Sequence, residues 1–274
     1  MKNQELIPPP VIGGTQPQTL KSKVSFQAIP AKKGSRIGIY GSAGIGKTTL
    51  AAASKGKKVF FDLDGSLPVL KEQMPPSVLS QIAVVSAASW QEMLDSLNAD
   101  GWDGVSSIII DTLTKAEELC VAHTLKTVPN DKGRFVQRLE DFGFGKGYVY
   151  LFDCFLPLLQ ALDNHCREGR NVILIMHDCT ATVPNPAGDD YLRYEPRLSS
   201  PASGKSSVRL RVREWLDHLL FIGYETTVDS DGKAKGGRRV ITPIERPYCM
   251  AKSRLLQSES ELNLNQNIIN LLTD

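Results

Sequence analysis

The sequence predicts an α/β fold: a mostly parallel, twisted sheet flanked by helices, with antiparallel strands toward the C-terminus. Three observations predict it. Short apolar runs alternate with longer amphipathic stretches from Ser35 onward, one such run leads straight into a glycine-rich loop, and another ends in a single aspartate. Strands covered on both faces read as continuous apolar runs, and parallel neighbours need a crossover helix between them.

Residues 1–24 are Pro-, Gln- and Gly-containing without periodicity, so a flexible N-terminal arm is expected there. The main domain is expected over 25–256. Its parallel strands fall at 36–40, 58–62, 82–85, 107–111 and 172–177, with helices starting at Lys47, Ser89, Thr112 and Gly147. Residues 178–207, rich in Pro, Gly, Ser and Arg, read as a long loop, the kind that is functional or disordered. Residues 208–213, 218–227, 240–244 and 248–251 read as strands, with Asp231-Gly232 and Gly236-Gly237 as turn signals. The tail, 257–274, holds one short helix candidate at 268–272.

A chain of 274 residues, 41% hydrophobic, suffices for one well-cored domain with tails. A net charge of +2 is too small for whole-molecule steering, so nucleic-acid binding would need local patches. No apolar run approaches bilayer-spanning length, which argues against a membrane partner. Cys120, Cys154, Cys166, Cys179 and Cys249 form no C-x-x-C pair, and the polar start with Pro8-Pro9-Pro10 has no signal-peptide core. These features lead to the expectation of a cytoplasmic protein with reduced thiols.

Gly41-Ser42-Ala43-Gly44-Ile45-Gly46-Lys47-Thr48, followed by Thr49, fits the phosphate-binding pattern G-x-x-x-x-G-K-[ST] between a strand and a helix. Glycines let the backbone fold into a nest of N–H groups, and the helix start adds positive potential. Lys47 is expected on the β and γ phosphates and Thr48 on Mg²⁺. The run Ser107-Ile108-Ile109-Ile110-Asp111 supplies a Walker B strand whose carboxylate reaches the sheet's ligand-binding edge. Asp111 is then a magnesium ligand, or simply a cap for the helix that follows.

Thr112, not a glutamate, follows Asp111, so the water-activating base must lie elsewhere. By strand alternation Asp62 and Asp64 share a side, facing the phosphates. This order of motifs resembles the RecA/KaiC-like P-loop ATPases, and the resemblance implies a RecA-like core and ATP as the nucleotide. It matches Asp64 to the family's catalytic carboxylate, usually Glu, with Asp62 as a rival. It matches His177, ending the 172–177 run, to the γ-phosphate sensor; the alternative is an ordinary strand-end histidine. Tyr248-Cys249-Met250-Ala251-Lys252-Ser253-Arg254 resembles the K-x-R element that reaches a neighbour's ATP site. Lys252 and Arg254 then act in catalysis from an adjacent subunit, unless they are two solvated cations.

More narrowly, residues 34–254 resemble phage-encoded single-domain RecA-like recombinases of the Sak group. The likeness includes Asp141-Phe142-Gly143-Phe144-Gly145-Lys146-Gly147-Tyr148, Tyr191-Leu192-Arg193-Tyr194-Glu195-Pro196-Arg197-Leu198 and Glu214-Trp215-Leu216-Asp217. It implies an ATP-dependent single-stranded-DNA-binding recombinase, acting in annealing or strand exchange as a homo-oligomeric ring or filament. A single-strand-binding protein is a further partner it suggests, in a bacterial host cell. A KaiC-like regulatory NTPase with a protein partner and a replicative-helicase-like motor are the alternatives.

In that arrangement two regions would line the DNA path. One is 126–146, with Lys132, Arg134, Arg138 and Lys146 beside Phe135, Phe142 and Phe144. The other is 178–213, with Arg193, Arg197, Lys205, Arg209, Arg211 and Arg213 beside Tyr191 and Tyr194. Cations neutralise phosphates and rings stack on bases. Read as a strand, 208–213 puts Arg209, Arg211 and Arg213 on one face, as would an ordinary solvated strand.

Overall fold

The computed structural model describes residues 34–202, 204–228, 234–261 and 268–273, so the expected arm at 1–24 and the Asp231-Gly232 turn lie outside the described residues. Among the described residues there are ten strands: β1 (Arg36–Gly41), β2 (Lys58–Asp62), β3 (Ile82–Val85), β4 (Ser107–Asp111), β5 (Asn171–Met176), β6 (Asp178–Val183), β7 (Tyr191–Pro196), β8 (His218–Val228), β9 (Ala234–Thr242) and β10 (Ser260–Glu261). The α-helices are α1 (Lys47–Ala52), α2 (Leu67–Leu70), α3 (Pro76–Leu79), α4 (Trp90–Asn98), α5 (Leu113–Thr127), α6 (Lys146–Arg167), α7 (Val208–Trp215) and α8 (Ile268–Thr273).

Eight strands make one sheet in the order β10-β9-β8-β1-β5-β4-β2-β3. Strands β3, β2, β4, β5, β1 and β8 run parallel, and β9 and β10 add antiparallel pairings. The sheet centre is apolar throughout: Ile108, Ile109 and Ile110 of β4 and Val172 to Met176 of β5 are all fully buried. One face is covered by α4, α5, α6 and α7, the other by α1 and α8. The fold is therefore the α/β P-loop NTPase core, with β5 seated between the P-loop strand and the Asp111 strand.

That order positions the site. The C-terminal ends of β1, β2, β4 and β5 open on one edge, the place where open α/β sheets collect ligands. Local capping fixes where the helices begin. Ser89 accepts from the Glu92 N–H to start α4, and Thr112 accepts from the Lys115 N–H to start α5.

Four expectations are corrected. Residues 208–213 are helical, not extended: Ser207 caps α7 by accepting from the Leu210 N–H, and Val208, Val212 and Trp215 make the buried stripe. The alternating Val-Arg pattern fits both periods over so short a run, and the four-then-three spacing won. Arg209, Arg211 and Arg213 therefore do not share a face. The expected loop at 178–207 contains an antiparallel hairpin, β6–β7, running from Asp178↔Pro196 to Val183↔Tyr191. Tyr40 of β1 anchors it, its hydroxyl donating to the Tyr194 and Met250 carbonyls. Within 248–251 only Cys249 pairs, through isolated bridges to Tyr194 and Arg246, and Gly236 lies within β9.

Candidate active site

β1 ends in the loop Gly41 to Thr48. At Gly41 φ is +152°, and an added Cβ would lie 2.3 Å from the Ile222 carbonyl of β8, so only glycine fits. Gly46, at φ +107°, turns the chain into α1. Lys47, Thr48 and Thr49 open that helix. The buried Lys47 ammonium donates to the carbonyls of Gly41 (2.7 Å) and Ser42 (2.8 Å). Burial pushes its pKa down, while Asp178, Asp111 and Asp64 pull it up. Asp178 also accepts from the Ser42 hydroxyl at 3.1 Å.

Asp111, at the end of β4, receives two hydroxyls on one carboxylate oxygen: Thr48 at 2.7 Å and Ser66 at 3.0 Å. Burial raises its pKa, opposed by these two bonds. Two hydroxyls and a carboxylate converging on one point form a hard oxygen donor set, which fits Mg²⁺. Capping of α5 falls to Thr112, which leaves the Asp111 carboxylate facing the cleft.

The two acidic residues after β2 separate. Asp62 accepts from the backbone N–H groups of Ser66 (2.8 Å) and Leu67 (3.2 Å), holding the turn into α2. Asp64 accepts from the Thr112 hydroxyl at 3.0 Å and lies 3.2 Å from His177 Nε2. β2 stops at Asp62 and the chain turns through Gly65, φ +67°, so Asp62 is tied to the start of α2 while Asp64 borders the cleft. Of the pair, Asp64 is the carboxylate turned to His177.

His177 follows β5 directly. Its N–H donates to the Thr114 hydroxyl, and its carbonyl accepts from the Arg197 N–H at the far end of β7. The residue beside Asp64 is thus also the root of the β6–β7 hairpin. A cleft of about 490 Å³ takes in Gly44, Lys47, Asp64, Asp111, His177 and Arg239.

The K-x-R pair is placed differently. Lys252 Nζ donates to the carbonyls of Arg213 (3.2 Å), Glu214 (3.3 Å) and Leu216 (2.6 Å), closing the C-terminal end of α7. Arg254 is exposed, 3.6 Å from Asp217. Neither lines this chain's own cleft.

Of the candidate DNA contacts, Lys132, Arg134, Arg197 and Lys205 are exposed. Arg193 and Arg209 are largely covered and both pair with the buried Glu195. Arg211 is 3.8 Å from Glu214, and Arg213 pairs with Glu245. Lys146 pairs with Asp131. Phe135 and Phe144 are exposed, whereas Phe142 is buried against Tyr150 and offers no stacking face.

Sequence reasoning missed Ser66, Thr114, Asp178 and Arg239. Asp178 was adjacent to the His177 candidate; the others carry no spacing signal. All five cysteines are free thiols. Among the described residues no helix is long and apolar enough to cross a membrane. No curated protein matches the chain. A family model described as AAA domain matches residues 33–255, which includes every residue of this cleft. The chain belongs to the AAA domain family, a P-loop ATPase type.

Proposed function

We propose that this chain is a Mg²⁺-dependent ATPase whose turnover drives single-stranded-DNA recombination, by annealing or strand exchange, in a homo-oligomer. The observation that carries it is Asp64 against His177 at the root of the β6–β7 hairpin. It puts the candidate base, the candidate sensor and the start of a long surface element within one contact.

The chain's residues divide the work as follows. Lys47 exchanges its two carbonyl contacts for β and γ phosphate oxygens, offsetting their charge. Thr48 and Asp111 would hold a magnesium ion, which would offset negative charge developing on the phosphates. Asp64 takes the proton of the attacking water as the new P–O bond forms and ADP leaves. His177 trades its Asp64 contact for the γ-phosphate, and its movement is passed to the hairpin through Arg197.

The DNA part rests on the resemblance and on exposed cations and rings in the two expected regions: Lys132, Arg134, Phe135 and Phe144 in 126–146, and Arg197 and Lys205 in 178–213. A single-strand-binding protein is a fitting companion, and the cytoplasm of a phage-infected bacterium a fitting location. The test is ATPase activity with and without single-stranded DNA across a salt series. Stimulation is expected, with a log–log affinity slope of about −4 for six phosphate contacts. Turnover with no response to DNA would favour a regulatory NTPase acting on a protein. The internal pairing of Arg193 and Arg209 with Glu195 is the observation on that reading's side. Unwinding of a forked duplex would favour the helicase-like motor.

A further inference from the structure

β1 ends at Gly41, paired with Ile222 of β8, but β8 continues to Val228. The β8–β9 ribbon therefore overhangs the edge of the sheet where the P-loop lies. On that overhang Arg239 stands opposite Tyr224, two residues beyond Ile222. Two residues of strand advance the chain about 6–7 Å, enough to bring a long side chain over the loop. Arg239 uses that reach: its guanidinium donates to the Ile45 carbonyl at 3.1 Å and borders the phosphate cleft.

Other cations of the C-terminal half are engaged elsewhere. Arg238 pairs with Glu225, Arg193 with Glu195 and Glu245, and Arg213 with Glu245. Lys252 closes α7, and Arg254 stands beside Asp217. Arg239 has no carboxylate partner among the described residues, and its guanidinium bonds to the phosphate loop itself. Arg197 is exposed and near enough to Lys47 to lower its pKa, yet it does not line the cleft. A guanidinium held against a phosphate loop by a single neutral acceptor is poised to exchange it for a charged one, a stronger bond.

We infer that Arg239 binds the polyphosphate chain of the nucleotide in its own subunit, as the second cation of the site beside Lys47. The inference rests on the ATPase reading. It places one arginine of the nucleotide site in cis, where the K-x-R element alone would bring every arginine from a neighbour.

The experiment measures binding of a fluorescent ATP analogue in Mg²⁺, with tripolyphosphate as competitor, for the wild type, Arg239→Ala and Arg239→Lys. Arg239→Ala should weaken both ligands about tenfold, with partial recovery in Arg239→Lys. Wild-type affinities in Arg239→Ala would overturn the inference. So would a loss confined to the ATP analogue, which would put Arg239 on the base instead. Mixing Arg239→Ala subunits with Lys47→Ala subunits should give no rescue of hydrolysis, and rescue would place the residue in trans against the inference. A wild type that binds neither ligand would remove the ATPase reading itself, a result distinct from an unaffected variant.

Discussion

His177 Nε2 stands 3.2 Å from Asp64 Oδ2, joining the end of β5 to the turn after β2 across the mouth of the phosphate cleft. The contact sets Asp64 apart from Asp62, its rival in the sequence. Asp62 is spent on the backbone of Ser66 and Leu67, and Asp64 is held by Thr112 with one side toward the cleft.

Asp64→Asn should bind ATP nearly as the wild type does but slow hydrolysis by about 10²–10⁴-fold. Asp62→Asn keeps an oxygen for the turn and should stay within a few-fold of wild-type turnover. Phosphate release measured beside nucleotide binding checks both. Arrest in the second variant with activity in the first would reverse the roles.

Ser66 shares the Asp111 oxygen with Thr48, so it bears on the magnesium requirement. Ser66→Ala should raise the Mg²⁺ concentration for half-maximal turnover several-fold, and Thr48→Ala should raise it further. Magnesium titrations of ATPase activity decide it. An unchanged requirement in both variants would remove Thr48 and Ser66 from the metal site.

Glu117 on α5 is largely buried, and burial pushes its carboxyl from 4.5 up to about 7 against the Ser199 N–H and nearby Arg209. With a folded pKa above the unfolded one, the protonated form is favoured by folding. The stability it contributes is complete below pH 4.5 and lost as pH rises toward 7, at up to about 1.4 kcal/mol per pH unit. Glu117→Gln should flatten that decline. Urea denaturation at pH 5, 6, 7 and 8 tests it, and parallel curves for the two proteins would refute the assignment.

Glu195 is buried between Arg193 and Arg209 and so ties β7 to α7. Glu195→Gln leaves two covered guanidinium groups short of a counter-charge. The cost should approach the 3–5 kcal/mol typical of breaking a buried pair, moderated because Arg193 keeps Glu245. Thermal or urea unfolding reads it directly, and a change below about 0.5 kcal/mol would show the pairing to be incidental.

Arg254 is exposed and outside its own chain's cleft, the placement a residue acting on a neighbour requires. Arg254→Ala should leave ATP binding by isolated subunits intact and reduce hydrolysis only in the assembled state. Mixing with Lys47→Ala subunits should restore activity, the opposite of the Arg239 result.

Much of this was legible in the sequence because backbone geometry dictated it. Gly41 and Gly46 are required by positive φ and close approach, and the apolar runs at 107–111 and 172–177 can only be buried strands. What escaped was decided by tertiary contact. The alternating 208–213 run became a helix because Ser207 capped it and Val208, Val212 and Trp215 found the core. The β6–β7 hairpin carries half-exposed polar residues with little apolar alternation to announce it. Lys252 looked free to reach a neighbour until α7 ended beneath it, and Arg239 gained meaning only from a strand overhang that no local pattern encodes.

Lys47 and a magnesium ion held by Asp111 would together grip the terminal phosphates in one cleft. Equilibrium titration of Mg²⁺-ATP against the wild type and Lys47→Ala tests it most directly. Saturable, magnesium-dependent binding of one nucleotide per wild-type chain is expected, with its loss in Lys47→Ala. Equal affinity in the two proteins, or binding indifferent to magnesium, would contradict it.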